Sequence, residues 1–200
     1  MEFDRRTCHT LAGVMLSSLL FCSTPASADV YELRTYTTNE GKLDDLNARF
    51  RDHTVQLFMK HGMTSIGYWV PTDGPKAKNT LIYVLQHQDR DAARASWKAF
   101  LEDPEWKTVA KESQKDGQIL DRAPDSVFMH ATNYTPAFAN DGKGSDAVFE
   151  LRIYRCHDGK LSKLDARFRD HTIRIFDRHA LRSVAYWHPT DKPDAQDSLI

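Results

Sequence analysis

Residues 30–82 lie over residues 148–200 without a gap, at a constant offset of 118 residues, and roughly half of the paired positions are identical. "VYELRTY" meets "VFELRIY", "EGKL" meets "DGKL", "YWVPTD" meets "YWHPTD", and "ARFRDHT" recurs unchanged at 48–54 and 166–172. Agreement over that length marks a duplicated unit. It constrains the fold strongly: whatever surface one unit leaves uncovered, the other leaves uncovered too, so each is a natural cover for its copy.

Within one unit, the order of elements reads from local pattern. "VYELRTYT" alternates as a strand does. Gly41 opens a helix to about His61 whose stripe is Leu43, Leu46, Phe50, His53 and Leu57, at the 3 and 4 spacing of one helical face. Gly62 ends it, a strand covers 64–70, and Pro71 stops that strand. A third strand covers 80–87 and a second helix covers 89–101. That helix restarts at Asp103-Pro104, a cap followed by proline at the first helical position, and runs to about Lys115. A fourth strand covers 126–134. The βαββαβ order predicts an α+β, ferredoxin-like unit with an antiparallel sheet and both helices on one face. The open sheet face is expected to meet the second copy, making a barrel with an interior.

On the first strand, Tyr31, Leu33 and Thr35 are expected to face the helices. That aims Glu32, Arg34 and Tyr36 into the space between units, with Glu150, Arg152 and Tyr154 repeating the pattern. Charges there must be paired or wet. They read either as a structural ion pair or as a pocket that orients an anionic or polar ligand. His53 and His171 stand where an apolar residue is expected, so each is either a buried hydrogen-bonding histidine or a general base or ligand. Trp69 and Trp187 end the second strand of each unit and either fill the core or wall a cavity. No H-E-x-x-H or comparable spacing supports a metal site, and no nucleophile elbow, C-x-x-C, P-loop or dinucleotide fingerprint is present.

Lys and Arg total 27 against 28 Asp and Glu, interleaved rather than blocked, which excludes the electrostatic footprint of a nucleic-acid or anionic-membrane binder. Residues 1–28 carry Arg5-Arg6, an apolar run from Leu11 to Cys22 and "ASA" before Asp29, the pattern of a cleaved signal peptide. The run is shorter than the roughly 20 residues a spanning helix needs. The mature protein is therefore expected in the periplasm or outside the cell, with no membrane contact after cleavage. Cleavage leaves Cys156 alone, so no intrachain disulfide forms. The units are 29–134 and 148–200, joined by a Pro-, Gly- and Asn-bearing linker at 135–147. Because the first unit continues through patterned sequence past Ile82, the second is expected to be truncated at Ile200.

The strand "VYELRTYT", the later "GKL", "HG" and "GYW", and "LIYVLQHQDRDAARASWKAFLEDPEW" together resemble the NIPSNAP family, completely over the first unit and as an unfinished domain over the second. The resemblance implies a dimeric α+β barrel, the fold shared with small cofactor-independent monooxygenases, haem-degrading monooxygenases and muconolactone-isomerase-like proteins. Glu32, Arg34, Tyr36, His53 and Trp69 are its pattern positions, without an assigned catalytic role. Two functions compete. One is a binder, and in its enzymatic form an oxidiser, of a small planar or apolar ligand inside the barrel: His53 is base or ligand, Arg34 holds a carboxylate or oxyanion, Trp69 is a wall, and haem is the one cofactor candidate. The other is a non-catalytic assembly module whose interior is just an interface. The expected partners are a small molecule and the other repeat, in the same chain or in a second copy.

Overall fold

The computed structural model describes residues 29–138, 147–191, 193 and 195–200. The expected signal segment and most of the expected linker lie outside these residues. In the first unit, β1 (Val30–Thr37) leads to α1 (Leu43–Arg49), a π turn (Phe50–Thr54) and α2 (Val55–Lys60). There follow β2 (Thr64–Trp69), β3 (Thr80–His87), α3 (Arg90–Glu102), α4 (Pro104–Glu112) and β4 (Asp125–Ala131). The strands run in the order β2-β3-β1-β4, antiparallel throughout, so the unit is an α+β, ferredoxin-like fold.

Local chemistry explains the element ends. The Asp89 carboxylate accepts from the Ala92 amide at 2.7 Å to start α3. Asp103 accepts from the Glu105 amide at 2.8 Å to start α4, with Pro104 at its first position. The His61 ring at 2.7 Å and the Lys60 ammonium at 2.8 Å meet the same Asp103 carboxylate, tying the end of α2 to the joint between α3 and α4.

One helix was expected over 41–61; the chain instead places a π turn in the middle of it, between α1 and α2. The Val55 amide reaches back five residues to the Phe50 carbonyl, and the Thr54 hydroxyl donates to the Arg49 carbonyl at 3.1 Å. The extra residue moves the stripe from Phe50 to Thr54 and then to Leu57 and Phe58, all buried, and turns His53 out to solvent. The heptapeptide's second copy does the same, with a π turn over Phe168–Thr172 and His171 exposed. The expected burial of both histidines is therefore overturned.

The faces of β1 are also the reverse of expectation. Tyr36 packs with Leu43, Leu46, Phe50, Leu57, Phe58, Tyr83 and Phe100, the core between sheet and helices. Tyr31 and Leu33 instead join Val84, Met129, Trp187 and Ile200 on the opposite face. The helix-facing set includes Glu32 and Arg34, whose charges are paired with each other, and the face without helices is covered by residues of the second unit.

That unit contains β5 (Tyr154–Arg155), α5 (Leu161–Arg167), its π turn, α6 (Ile173–Arg178), β6 (Trp187–Pro189) and β7 (Ser198–Leu199). Tyr154 pairs with Leu199, the register that Tyr36 and Leu81 make 118 residues earlier. Trp187 exchanges backbone hydrogen bonds with Ile200 as the counterpart of the Trp69–Ile82 pair. The strand expected over the start of this unit is confined to Tyr154–Arg155, and Glu150 and Arg152 lie exposed before it. β6 pairs antiparallel with β4, extending the first unit's sheet to five strands.

Candidate functional site: a carboxylate and two arginines under the helices

Glu32 is 1% exposed on the helix-facing side of β1. Four donors converge on it. Arg34 Nη1 and the Ser126 hydroxyl reach Oε1 at 2.7 and 2.6 Å, while Trp97 Nε1 and His87 Nε2 approach Oε2 at 2.7 and 3.3 Å. The arrangement follows from the sheet: Arg34 stands two residues along the same face, Ser126 faces Arg34 in the β1–β4 register, and α3 lays Trp97 over both. Burial alone would raise this carboxyl's pKa; the bond from His87, the charge of Arg34 and the bonds from Ser126 and Trp97 outweigh it and lower it to about 2. Glu32 is therefore ionised at any neutral pH, a fixed counter-charge with little use as a proton shuttle.

Arg34 is the group this anchor positions. Its guanidinium carbon sits 4.3 Å from the Trp97 ring and 5.5 Å from that of Tyr36, and its Nε is buried without a partner among the described residues. Beside it, the Tyr83 hydroxyl donates to that of Tyr36 at 3.1 Å. Burial pushes the Tyr83 hydroxyl well above its ordinary pKa, so it stays neutral. A second guanidinium, Arg49 at the end of α1, is 6% exposed and lies 5.4 Å from the Trp106 ring. The layer thus offers fixed positive charge among aromatic rings, a setting that orients or stabilises negative charge.

Of the residues singled out in the sequence, Glu32, Arg34 and Tyr36 come together here, under the helices and not between the units. Trp69 lies on the other face, 5.8 Å from Phe149. Its ring crosses Gly67 so closely that a Cβ there would sit 2.5 Å from it. Trp187 is buried against Tyr31 and Phe138 on that same face, so neither tryptophan walls the Arg34 site. His53, exposed beside the Arg51–Asp52 pair, lacks the enclosed apolar setting that a haem ligand needs, and the residues around it do not fit that cofactor. His171 is exposed in the same way. Glu150, Arg152 and Tyr154 form a local surface group, Arg152 bonding Glu150 at 2.8 Å and the Tyr154 hydroxyl at 3.3 Å.

His87, Trp97, Ser126 and Arg49 were not anticipated. The first three join Glu32 only through tertiary pairing, but Arg49 carries a signal: it is three residues after Leu46, on the buried stripe of α1. Among the described residues, no three His, Cys, Asp or Glu side chains are placed to hold a metal ion, and no helix is long and apolar enough to cross a membrane. Two open cavities of about 390 and 200 Å³ lie near the β1–α1 loop and the 3-10 turn at Pro75–Lys78, away from Glu32 and Arg34.

Several solved structures are similar to this chain. An uncharacterized NIPSNAP-like domain protein from Burkholderia xenovorans is 16% identical with a TM-score of 0.48, over 55% of this chain and 90% of that one. A NIPSNAP family protein of unknown function from Agrobacterium tumefaciens is 19% identical with a TM-score of 0.47, over 55% and 94%. A monooxygenase from Streptomyces coelicolor, in complex with nanaomycin D, is 16% identical with a TM-score of 0.39, over 53% and 89%. No functionally curated protein matches. The NIPSNAP family profile matches residues 31–136, more than half of the sequence and the whole of the unit that holds the Glu32 network. The chain belongs to the NIPSNAP family.

Proposed function

We propose that this protein is an exported binder of a small planar ligand, seated in the helix–sheet layer against Arg34. The carrying observation is Arg34 itself: anchored by a fully buried carboxylate, flanked by Trp97 and Tyr36, with a buried Nε that bonds to nothing among the described residues. A guanidinium held this way recognises a negatively polarised oxygen, and the rings on either side suit a flat body. Monooxygenase-like chemistry is the enzymatic form of this reading. Arg34 then stabilises an oxyanion on the ligand, Glu32 stays ionised and holds Arg34, and His53 takes no part. Export is supported by the Arg5-Arg6, apolar and Ala-Ser-Ala pattern ahead of Asp29.

A second reading, a non-catalytic module of two tandem NIPSNAP domains, draws on the other sheet face. There Tyr31, Leu33, Val84, Met129, Trp187 and Ile200 pack together as a buried apolar cluster. The two readings part on Arg34. Purified from Asp29 onward, the protein should carry a small ligand identifiable by mass spectrometry, and Arg34→Met should lose it while remaining folded. A folded Arg34→Met that keeps the ligand, or a wild type with no ligand and no oxygen uptake on any aromatic probe, leaves only the assembly module.

A further inference from the structure

Arg49 carries a charge that nothing among the described residues neutralises. Its Nη1 has only the Ser113 hydroxyl, at 3.4 Å, and its Nε is buried with no partner. Burial pushes this guanidinium's pKa down, offset in part by the charge interaction with Tyr36 and Tyr83, the tyrosine pair that borders Arg34. The surface does the opposite: Arg51, Arg90, Arg94 and Arg152, all exposed, each meet a carboxylate. Glu32 balances one of the two arginines in the layer, leaving one positive charge over. A lone buried cation is among the least favourable features a fold can keep, and an apolar replacement of similar shape normally improves stability. Its retention points to an anion that comes from outside the fold.

The neighbours say which kind. A guanidinium fork matches a carboxylate in two-pronged geometry. The Tyr36 hydroxyl accepts from Tyr83, which leaves its own hydrogen to donate. Trp106, half-buried and tilted against Phe100 with 4.4 Å between centroids, offers an aromatic wall beside Arg49. We infer that Arg49 and the Tyr36 hydroxyl bind the carboxylate of a small aromatic acid whose ring packs against Trp106; this names the substrate class of the ligand reading above and rests on it. The second unit repeats no such site among the described residues: Arg167, the counterpart of Arg49, is exposed, with the Phe168 ring 6.0 Å away.

The test is tryptophan-fluorescence titration of the full chain with benzoate and its neutral counterpart benzamide. Wild type should prefer benzoate at least tenfold. Arg49→Met should erase that preference and raise the ligand-free Tm by a few degrees, since it removes an unpaired buried charge. Arg49→Lys, a check should the methionine variant misfold, should keep the preference at lower affinity. Arg167→Met should change neither quantity. Equal binding of benzoate and benzamide by wild type, or unchanged benzoate affinity in a folded Arg49→Met, overturns the carboxylate assignment. If benzamide still binds and Arg34→Met abolishes it, the small-ligand reading survives that failure. If neither probe binds wild type, both fall.

Discussion

Glu32 and Glu150 occupy the same place in the same motif, E-L-R-x-Y, yet one is 1% exposed with four donors on it and the other lies on the surface with a single ion-pair partner, Arg152. The same contrast separates Arg49 from Arg167 and the buried Tyr36 from the half-buried Tyr154. In the first unit, β3, β4 and α3 close over the strand; at the second, the residues before Tyr154 pair with nothing among the described strands. A motif on one strand therefore has no chemistry of its own. Its Glu becomes a fixed counter-charge only when a serine from the neighbouring strand, a tryptophan from the helix and a histidine from the sheet arrive, 94, 65 and 55 residues away in sequence.

The largest effect should come from the two glutamates. Glu32→Ala leaves Arg34 buried without its counter-ion and should cost about 3–5 kcal/mol in urea unfolding, whereas Glu150→Ala, on a surface ion pair, should stay within about 0.5 kcal/mol. Equal costs at the two sites would break the contrast. A smaller effect sharpens it at the helix ends. Gly62 closes α2 at φ 75°, and its counterpart Ala180 holds φ 58° after α6. Left-handed backbone suits glycine and strains a Cβ, so Gly62→Ala should lose roughly 1 kcal/mol and Ala180→Gly should recover a similar amount, read as opposite shifts in Tm.

Much of the fold was legible in the sequence. The strand at 80–87, the cap at Asp103, the Pro104 start and the βαββαβ order all rest on local signals, and the structure contains them. The face of β1 was not legible, because period-2 alternation separates two sets of residues without saying which meets the helices. Tyr31 and Tyr36 are equally suited to either side. His53 was misplaced because a 3.6-residue period assumes an unbroken α-helix, and the π turn moves the buried position after Phe50 from His53 to Thr54. The only sequence sign was Thr54, whose hydroxyl supports the wider turn by bonding the Arg49 carbonyl. Of the site, Glu32, Arg34 and Tyr36 were visible as a polar strand set, but their partners on β3, α3 and β4 were not.

The central claim is that Glu32 is a permanently ionised anchor for Arg34 and not a proton donor. The direct measurement is an NMR titration of the Glu32 side-chain carboxyl in the folded protein, with Glu32→Gln to assign the signal. The account predicts that it stays ionised down to a midpoint of about 2, below its ordinary 4.5. A depressed pKa means stabilisation that is fully present above the unfolded value and lost as pH falls through the folded one. Unfolding free energy should therefore drop between about pH 4.5 and 2, by on the order of 3 kcal/mol, and Glu32→Gln should flatten that limb. A Glu32 midpoint at or above 4.5 would contradict the account and return this residue to the list of candidate general acids.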